Sequence, residues 1–438
     1  MDSRESAVRA GRNIAGKSAR RNAAKHVRFT LAPCCGNQYR MRMRILHVIT
    51  GLQSGGAEAM LYKLLSASHG AGFTHAVVAL TSGGPYFEKI RDLGVDVQTL
   101  DLNMPLVGPG AVLRLRRKIA DIAPDIVQGW MYHADLLTSL ALMRFLPGKA
   151  GTRPPLVWNV RLSEIDPRFI GWSTRLVIRC LATLSHRVPA AIVINAEASR
   201  QTHIAAGYTA QKFQLIPNGF DLEKFKPDPA ARAALRRELG IAPETRLVGM
   251  AARFDPQKDY PAFFAAAEKV IAACGDVAFI ACGSGVEAAN PAIAPSIARG
   301  DIARHLHLLG RRGDMERFYP ALDIYVSTAI GEGFANVVGE AMCCAVPCIV
   351  TDVGDSRVIV GDSGVVVPPA DPAAMARAVI ALLDGPAHNR QAMGARARTR
   401  MGDFSIAAVA RRFEAMWQTI LSDKKAWRDR KKAEGTDR

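Results

Sequence analysis

With 438 residues, of which 49% are hydrophobic, the chain is long enough to bury two ordinary cores. The formal net charge of +17 is uneven: residues 1–40 hold nine Lys/Arg against two acids, and residues 423–438 hold seven against four. No stretch approaches the roughly 20 apolar residues of a membrane-spanning helix. Basic residues are not interleaved with aromatic ones, which argues against nucleic acid and leaves anionic substrates or an anionic membrane surface as partners.

The basic segment 1–42 is predicted to be a disordered tail. It has no apolar segment long enough for a secretory signal, although its scarcity of acids keeps an organelle transit peptide as an alternative. The sequence MRMRILHVIT, Met41 to Thr50, is typical of a chain start followed by a buried strand.

Short apolar runs then alternate with amphipathic segments, which is typical of βαβ units and parallel sheets. The strands predicted in the first half are Ile45–Ile49, Ala76–Leu80, Val95–Leu100, Ile126–Trp130, Leu156–Val160 and Ala191–Ile194. The helices predicted between them are Ala57–Ser68, Ala111–Ile122 and Ala134–Phe145.

The stretch IPNGFDLEKFKPDP, Ile216 to Pro229, has the Pro and Asn-Gly content of a linker. The strands predicted after it are Leu247–Ala251, Val277–Ala281, His307–Leu309, Ile324–Ser327 and Cys348–Thr351. The helices predicted there are Pro261–Cys274, Asn336–Cys344, Asp371–Leu383 and a terminal helix, Ser405–Leu421.

These elements predict an α/β protein with two doubly wound domains that face each other across a cleft. The predicted domains are 43–215 and 216–404, followed by a helix at 405–422 that packs back across both and a basic tail at 423–438. Loops that follow the carboxyl ends of parallel strands line such a cleft. Candidate site residues are therefore sought in those loops.

The first of these loops is GLQSGGAE, Gly51 to Glu58, whose glycines allow backbone N–H groups to approach a phosphate. It matches neither GxGxxG nor the P-loop, so nicotinamide and ATPase functions lose support. A second loop, AARFDPQKD, holds Arg253 and Lys258, and two cations at the end of a strand can bind a diphosphate. A tight turn and solvated surface charges are the structural alternatives.

A third loop, GEGFANVVGEAM, sets Glu332 and Glu340 on either side of a predicted helix start near Ala335 or Asn336. The first N–H groups of a helix favour an anion. An anion site between two carboxylates that accept hydrogen bonds from hydroxyls suits a nucleotide sugar. The structural alternative makes Glu340 an exposed helix residue and Glu332 a partner of the helix dipole.

No metal or other cofactor is expected. The chain has no CxxC pair with a histidine partner at zinc spacing, and no D-x-D pair to hold a metal on a diphosphate.

Four stretches together resemble glycosyltransferase family 4: SGGAE after the first strand, RFDPQKD, IPNGFD and EGFANVVGEAM with its E-x7-E spacing. The resemblance runs from about Met43 to the terminal helix, and WMYHAD, VVVPPADP and TDVGDS are similar to members that build bacterial surface polysaccharides. It implies a GT-B fold of two Rossmann-like domains, a nucleotide-sugar donor, retention of anomeric configuration and hexosyl transfer. Ala335 stands where many relatives have proline, which affects the rigidity of the loop more than the chemistry.

The resemblance also implies roles for individual residues. Glu332 contacts the donor hexose, and Arg253 and Lys258 neutralise the leaving diphosphate. His133, in the loop after the predicted strand Ile126–Trp130, lies near the donor sugar. Glu340 binds the ribose hydroxyls. The remaining donor-binding residues are Gly55, Gly56, Gly283, Phe334, Ala335, Asn336 and Val337.

The expected donor is UDP-linked, although no residue excludes GDP, and the expected acceptor is either a saccharide or a polyprenyl-linked saccharide. Acceptor contacts are expected from the first domain, including WNVRLSE, Trp158 to Glu164. The expected location is the cytoplasm, with peripheral attachment at the inner face of the plasma membrane as an alternative. A sugar-nucleotide epimerase on the same fold and a non-enzymatic polyanion- or membrane-binding protein stay open as alternatives.

Overall fold

The computed structural model describes residues 43–70, 72–103, 108–143, 153–162, 165, 170–298 and 302–433, with side chains as far as residue 426. The predicted tail at 1–42 and Glu164 lie outside these ranges. The described residues form two lobes, each built on one parallel sheet with helices on both faces.

The first lobe holds a seven-stranded sheet in the order β3-β2-β1-β4-β5-β6-β7, with every strand parallel to its neighbours. Its strands are β1 Met43–Ile49, β2 Phe73–Ala79, β3 Asp96–Thr99, β4 Ile126–Trp130, β5 Leu156–Val160, β6 Ala191–Ile194 and β7 Phe213–Leu215. Its helices are α1 Gly56–Ser68, α2 Pro85–Arg91, α3 Pro109–Ile122, α4 Tyr132–Ala141, α5 Trp172–Ser185 and α6 Glu197–Ala205.

The second lobe holds a six-stranded parallel sheet in the order β10-β9-β8-β11-β12-β13. Its strands are β8 Arg246–Ala251, β9 Val277–Cys282, β10 Leu306–Leu308, β11 Ile324–Ser327, β12 Cys348–Thr351 and β13 Val365–Val367. Its helices are α7 Pro229–Glu238, α8 Tyr260–Cys274, α9 Ala294–Ile297, α10 Ile302–His305, α11 Met315–Phe318, α12 Asn336–Cys343, α13 Ser356–Val360, α14 Pro372–Asp384 and α15 Ala387–Arg400.

The sequence prediction of two doubly wound domains is confirmed. Five predicted strands have the bounds of the observed β4, β5, β6, β11 and β12. The prediction missed β7 and β13, which are edge strands of three residues each. Strands this short carry no period that separates them from loops.

The last helix, α16 (Ile406–Ala433), returns to the first lobe. Its Phe413 and Trp417 are fully buried in the core beneath the first sheet, and Trp417 Nε1 donates to Gln128 Oε1 at 2.8 Å. The helix continues beyond the predicted end at Leu421, so residues 423–433, which belong to the predicted basic tail at 423–438, are helical.

Contacts between the lobes include a helix cap supplied across the domain boundary. The carboxylate of Asp355, in the second lobe, accepts hydrogen bonds from the backbone N–H of Glu197 at 2.9 Å and of Ala198 at 3.3 Å. These residues begin α6, whose own N-cap, Ala196, has no side-chain acceptor. The first turn of a first-lobe helix is therefore satisfied by the second lobe.

A chain of hydrogen bonds through two buried histidines links α1 to the first sheet. Trp130 Nε1, which can only donate, bonds His47 Nδ1 at 3.1 Å, so His47 Nε2 carries the proton that it donates to His75 Nδ1 at 3.0 Å. His75 Nε2 then donates to Ser68 Oγ at 3.0 Å, and that hydroxyl donates to the carbonyl of Leu64. Both imidazoles are therefore neutral, and burial lowers the pKa of both, that of His75 to about 3.

Candidate active site

A cavity of about 740 Å³ opens between the carboxyl ends of the two sheets. Both lobes line it, and its volume lies within the ~300–1,000 Å³ typical of small-molecule sites. The first lobe contributes Gly56, Ala57, Glu58, Met131, Arg161, Leu162, Ile170 and Asn195, and the linker contributes Asn218. The second lobe contributes Ala251, Ala252, Arg253, Asp255, Gln257, Lys258, Gly331, Glu332, Gly333, Phe334, Asn336 and Val337.

Lys258 and Glu332, two of the predicted catalytic residues, form an ion pair in the cavity wall. Both side chains are mostly buried, with exposed fractions of 16% and 15%. The loop that carries Glu332 is supported by Gly354, at φ +53°, where an added Cβ would lie 2.3 Å from the Glu332 carbonyl oxygen. The pair places a carboxylate beside a cation. The Glu332 carboxylate can accept hydrogen bonds from hydroxyls, and the Lys258 ammonium can bind a phosphate.

Arg253 lies at the same wall but faces solvent, with 67% of its side chain exposed. Its Nε donates to Asp255 Oδ2 at 3.1 Å, and Asp255 also caps the short helical turn that carries Lys258. A surface pair of this kind contributes little to stability and separates readily when an anion arrives.

Helix α12 begins at Asn336, as the sequence predicted, and directs its first turn at the cavity. Phe334, Asn336 and Val337 line the cavity, whereas the side chain of Ala335 is 1% exposed and packs in the lobe's core. Ala335 therefore has only its backbone N–H to offer a ligand. The free N–H groups of a first helical turn form an anion site.

Glu340 lies further along α12, away from the residues that line the cavity, and is half-buried. Its Oε2 accepts a hydrogen bond from the hydroxyl of Tyr319 at 2.8 Å. Burial raises the pKa of Glu340, and the nearby Lys63 of α1 opposes that rise. A carboxylate held in this way can accept further hydrogen bonds from ligand hydroxyls on its free side.

Three predicted residues of the first lobe lie beside the cavity. Gly56 lines it as the first residue of α1, and Gly55 precedes it as the N-cap in extended backbone. His133, predicted to lie in a loop, lies instead in the first turn of α4 and is half-buried, which lowers its pKa. It does not line the cavity, but Met131, two residues before it, does.

Gly283, in the loop after β9, also does not line the cavity. Its φ is +153°, and an added Cβ would lie 1.8 Å from the carbonyl oxygen of Ala252. Its N–H donates to the carbonyl of Gly310 at 2.8 Å. The position requires glycine for a close approach between two second-lobe loops, and this packing role is what the structure shows.

Arg161, directly after β5, is a cavity residue that sequence reasoning did not identify. Its guanidinium lies 5.3 Å from the ring centroid of Trp130, and Nη1 donates to Asn218 Oδ1. Its Nε and Nη2 are buried without a hydrogen-bond partner. Burial lowers the pKa of Arg161 to about 9, which leaves it charged at neutral pH. The available signal was a cation immediately after a buried strand, within WNVRLSE.

Asn218 joins the two walls of the cavity. Besides accepting from Arg161, it donates from Nδ2 to Asn336 Oδ1 at 2.8 Å, at the start of α12. Asn195, another cavity residue, has a buried Oδ1 without a partner. The Glu58 carboxylate lies next to Gly55, where an added Cβ would come within 2.3 Å of Glu58 Oε2. Burial raises the pKa of Glu58. The first-lobe wall and the linker together therefore carry a cation, a carboxylate and two amides.

Neither a metal cluster nor a membrane-spanning helix occurs among the described residues. No three His, Cys, Asp or Glu side chains in that part of the chain are grouped closely enough to hold a metal ion. No helix there combines the length and apolar character needed to cross a bilayer.

Comparisons with known proteins agree with this architecture. Residues 54–224 match the model of Glycosyltransferase Family 4, and residues 245–385 match that of Glycosyl transferases group 1. HepE of Anabaena, solved in complex with UDP, superposes over 86% of this chain and 100% of its own with a TM-score of 0.73, at 21% identity. The fold is thus GT-B.

Curated relatives match parts of the chain. The D-inositol 3-phosphate glycosyltransferase of Kineococcus radiotolerans is 29% identical over 258 residues, 54% of this chain and 59% of the relative. The UDP-Gal:alpha-D-GlcNAc-diphosphoundecaprenol alpha-1,3-galactosyltransferase of Escherichia coli is 32% identical over 152 residues, 34% and 39% of the two chains. The chain spans only 50% to 59% of the length of the first relatives that it matches.

Two facing Rossmann-like lobes with a lined cleft define a GT-B protein, and the two family models fall one on each lobe. The chain therefore carries a Glycosyltransferase Family 4 domain in its first lobe and a Glycosyl transferases group 1 domain in its second.

Proposed function

We propose that the protein transfers a hexosyl group, with retention, from a nucleotide-diphosphate sugar to a saccharide acceptor in the synthesis of cell-surface polysaccharide. The observation that carries the proposal is the buried Lys258–Glu332 pair beside the start of α12, within one cavity between the lobes. It brings a phosphate-binding cation, a hydroxyl-binding carboxylate and a helix N-terminus to one place.

In this proposal the diphosphate lies against the first turn of α12, and Arg253 and Lys258 neutralise the charge that grows on it as the sugar departs. Glu332 is released from Lys258 to accept hydrogen bonds from the hexose hydroxyls. Negative charge is stabilised by donors already in position, without a metal ion. The acceptor hydroxyl attacks the face from which the diphosphate leaves.

The other predicted contacts remain part of the proposal. Glu340 binds the ribose, and His133 stands near the donor sugar. Backbone groups surround the donor at Gly55, Gly56, Gly283, Phe334, Ala335, Asn336 and Val337.

We propose UDP as the nucleotide and a lipid-linked saccharide as the acceptor. Support comes from the names of the Escherichia coli relative, which cite UDP-Gal and a diphosphoundecaprenol, and from HepE, which was solved with UDP. The corresponding location is the cytoplasm, at the inner face of the plasma membrane.

The test is a screen of purified protein against UDP-, GDP- and ADP-sugars in the presence of EDTA, by thermal shift and by donor hydrolysis. We expect one nucleotide to stabilise the protein, Glu340→Ala to weaken that stabilisation, and Glu332→Ala to abolish hydrolysis. Glu268→Ala, an exposed carboxylate on α8, is the matched control. A protein that no nucleotide sugar stabilises is not a glycosyltransferase, and conversion of the donor to its epimer identifies the epimerase alternative.

A further inference from the structure

Helix α5 has two apolar stripes, and only one of them faces the protein. Ile178 and Leu181 are buried in the first lobe's core. On the other side, Trp172 is 73% exposed and Leu176 is 55% exposed. The two exposed residues are four apart, so they lie on one helical face, one turn from each other.

The exposed face of α5 is also basic. Arg175 and Arg179 are exposed and follow Trp172 by three and seven residues, which places them along the same face. The helix sequence WSTRLVIRCLATLS has no acid, and the exposed Arg187 follows shortly after its end. A helix face that combines tryptophan, leucine and arginine is the composition of helices that lie in a membrane interface.

The position of this face relates it to the cavity. Gly171 is the N-cap of α5, and the preceding residue, Ile170, lines the cavity on its first-lobe side. A surface that contacts the exposed face of α5 therefore lies close to the first-lobe side of the cavity. For a lipid-linked acceptor, that surface is the bilayer that holds the acceptor's lipid.

We propose that the exposed face of α5, formed by Trp172, Arg175, Leu176 and Arg179, docks on an anionic lipid bilayer. Trp172 and Leu176 enter the headgroup region, and the two arginines contact lipid phosphates. The proposal rests on the proposed function only for its purpose, the delivery of a lipid-linked acceptor. The two arginines are complementary in charge to an anionic bilayer. A large apolar side chain buries ~150–250 Å², so Trp172 and Leu176 together bury far less than the ~800 Å² per partner of a stable protein interface.

Tryptophan fluorescence gives a direct test. Trp130, Trp158 and Trp417 are fully buried, so Trp172 is the fluorophore that a bilayer reaches, once Trp427 has been replaced by phenylalanine because its side chain lies outside the described residues. Vesicles of phosphatidylglycerol and phosphatidylcholine should shift the emission to the blue, whereas vesicles of phosphatidylcholine alone should not.

Vesicle sedimentation then assigns the binding to the face. We expect Trp172→Ala/Leu176→Ala to lower partitioning at least tenfold, and Arg175→Gln/Arg179→Gln to lower it roughly fivefold per arginine at low salt. The matched controls are Val358→Ala, an exposed apolar residue of the second lobe, and Arg237→Gln/Arg411→Gln, two arginines exposed elsewhere. Both should bind vesicles as the unmodified protein does.

The proposal is wrong if anionic vesicles do not bind, if α5 and control variants bind equally, or if the α5 substitutions instead abolish a concentration-dependent dimer. The nucleotide thermal shift, measured without lipid, separates this result from the proposed function. A protein that nucleotide sugars stabilise but vesicles do not bind loses only the docking proposal. A protein that vesicles bind but no nucleotide sugar stabilises loses the proposed function.

Discussion

The two walls of the cavity differ in whether their charged groups have partners, although both walls are built from the ends of similar parallel sheets. In the second lobe the ionised side chains are paired with each other, Lys258 with Glu332 and Arg253 with Asp255. In the first lobe Arg161 is buried with two of its nitrogens unpartnered, and Asn195 has an unpartnered oxygen.

This difference indicates how each wall meets its ligand. A paired wall is stable without ligand, and the ligand has to exchange one ion pair for another. A buried donor without a partner costs about 1–3 kcal/mol, more when it is charged, and a ligand that satisfies it recovers that free energy. The second wall is therefore preorganised for a ligand with fixed charges, while the first wall gains stability only when its ligand arrives.

The largest effect is expected from breaking the paired wall. Under the proposed function, Lys258→Met removes a hydrogen-bond donor from the leaving diphosphate, and it also leaves Glu332 buried without its partner. We expect kcat to fall about 10²- to 10³-fold. Steady-state hydrolysis or transfer of the donor sugar measures it.

Lys269→Met, an exposed lysine on α8, is the control and should keep its activity. A Lys258→Met enzyme with more than a tenth of normal kcat would show that the helix N-terminus and Arg253 suffice.

A smaller effect is expected from Arg161→Met, which should raise the stability of the fold and lower the rate of transfer to the acceptor. Replacing a buried, half-satisfied cation by an apolar side chain should stabilise the fold by about 1 kcal/mol. Transfer to the acceptor should fall, while the thermal shift with the donor nucleotide should not change. Urea unfolding and paired hydrolysis and transfer assays measure the two results.

Arg236 is the matched control in the second lobe. It is 3% exposed, and its guanidinium bonds Asp323 at 2.7 Å and the carbonyls of Ala321 and Thr245. Because its partners would be left unpaired, Arg236→Met should destabilise the fold by about 3 kcal/mol. If both substitutions destabilise equally, Arg161 is structural and the contrast between the walls is lost.

The last effect concerns acid and the first lobe's core. His47 and His75 have lowered pKa values when folded and about 6.5 when unfolded, so below pH 6.5 the unfolded chain binds protons that the folded chain does not. Stability should therefore fall as the pH drops, by about 1 kcal/mol per histidine between pH 7.5 and 5.5. Urea unfolding at both values should show a smaller loss in His75→Gln; an unchanged loss would show that other groups cause it.

The same contrast explains how much the sequence could predict. The second lobe's site follows from local patterns, because Arg253 and Lys258 are neighbours in one loop and Glu332 and Asn336 lie in another. Arg161 is recognised only from what surrounds it in space: Trp130 from β4, Asn218 from the linker and the absence of a partner for its other nitrogens.

Two differences between prediction and structure have the same origin in long-range contacts. His133 is predicted to lie in the loop after a strand, but α4 already begins at Tyr132. The helix follows Met131, whose φ of +70° is uncommon for a residue other than glycine and is not predicted by the local sequence. Residues 423–433 are charged like a solvated tail, yet they continue α16, which is anchored by Phe413 and Trp417 in the other lobe. Periodicity predicts elements, and tertiary packing decides where they end.

The return of α16 has a consequence for the order in which the polypeptide is made. The first lobe is translated first, but Val409, Phe413 and Trp417 of its core are encoded after the whole second lobe. On a ribosome that adds ~5–20 residues per second, the nascent first lobe therefore exposes the apolar groove that α16 will fill for ~10 s or more. During that interval the core of the first lobe is incomplete and its apolar side chains are exposed to solvent. A premature stop codon late in the message would therefore remove part of the core of the lobe that was synthesised first.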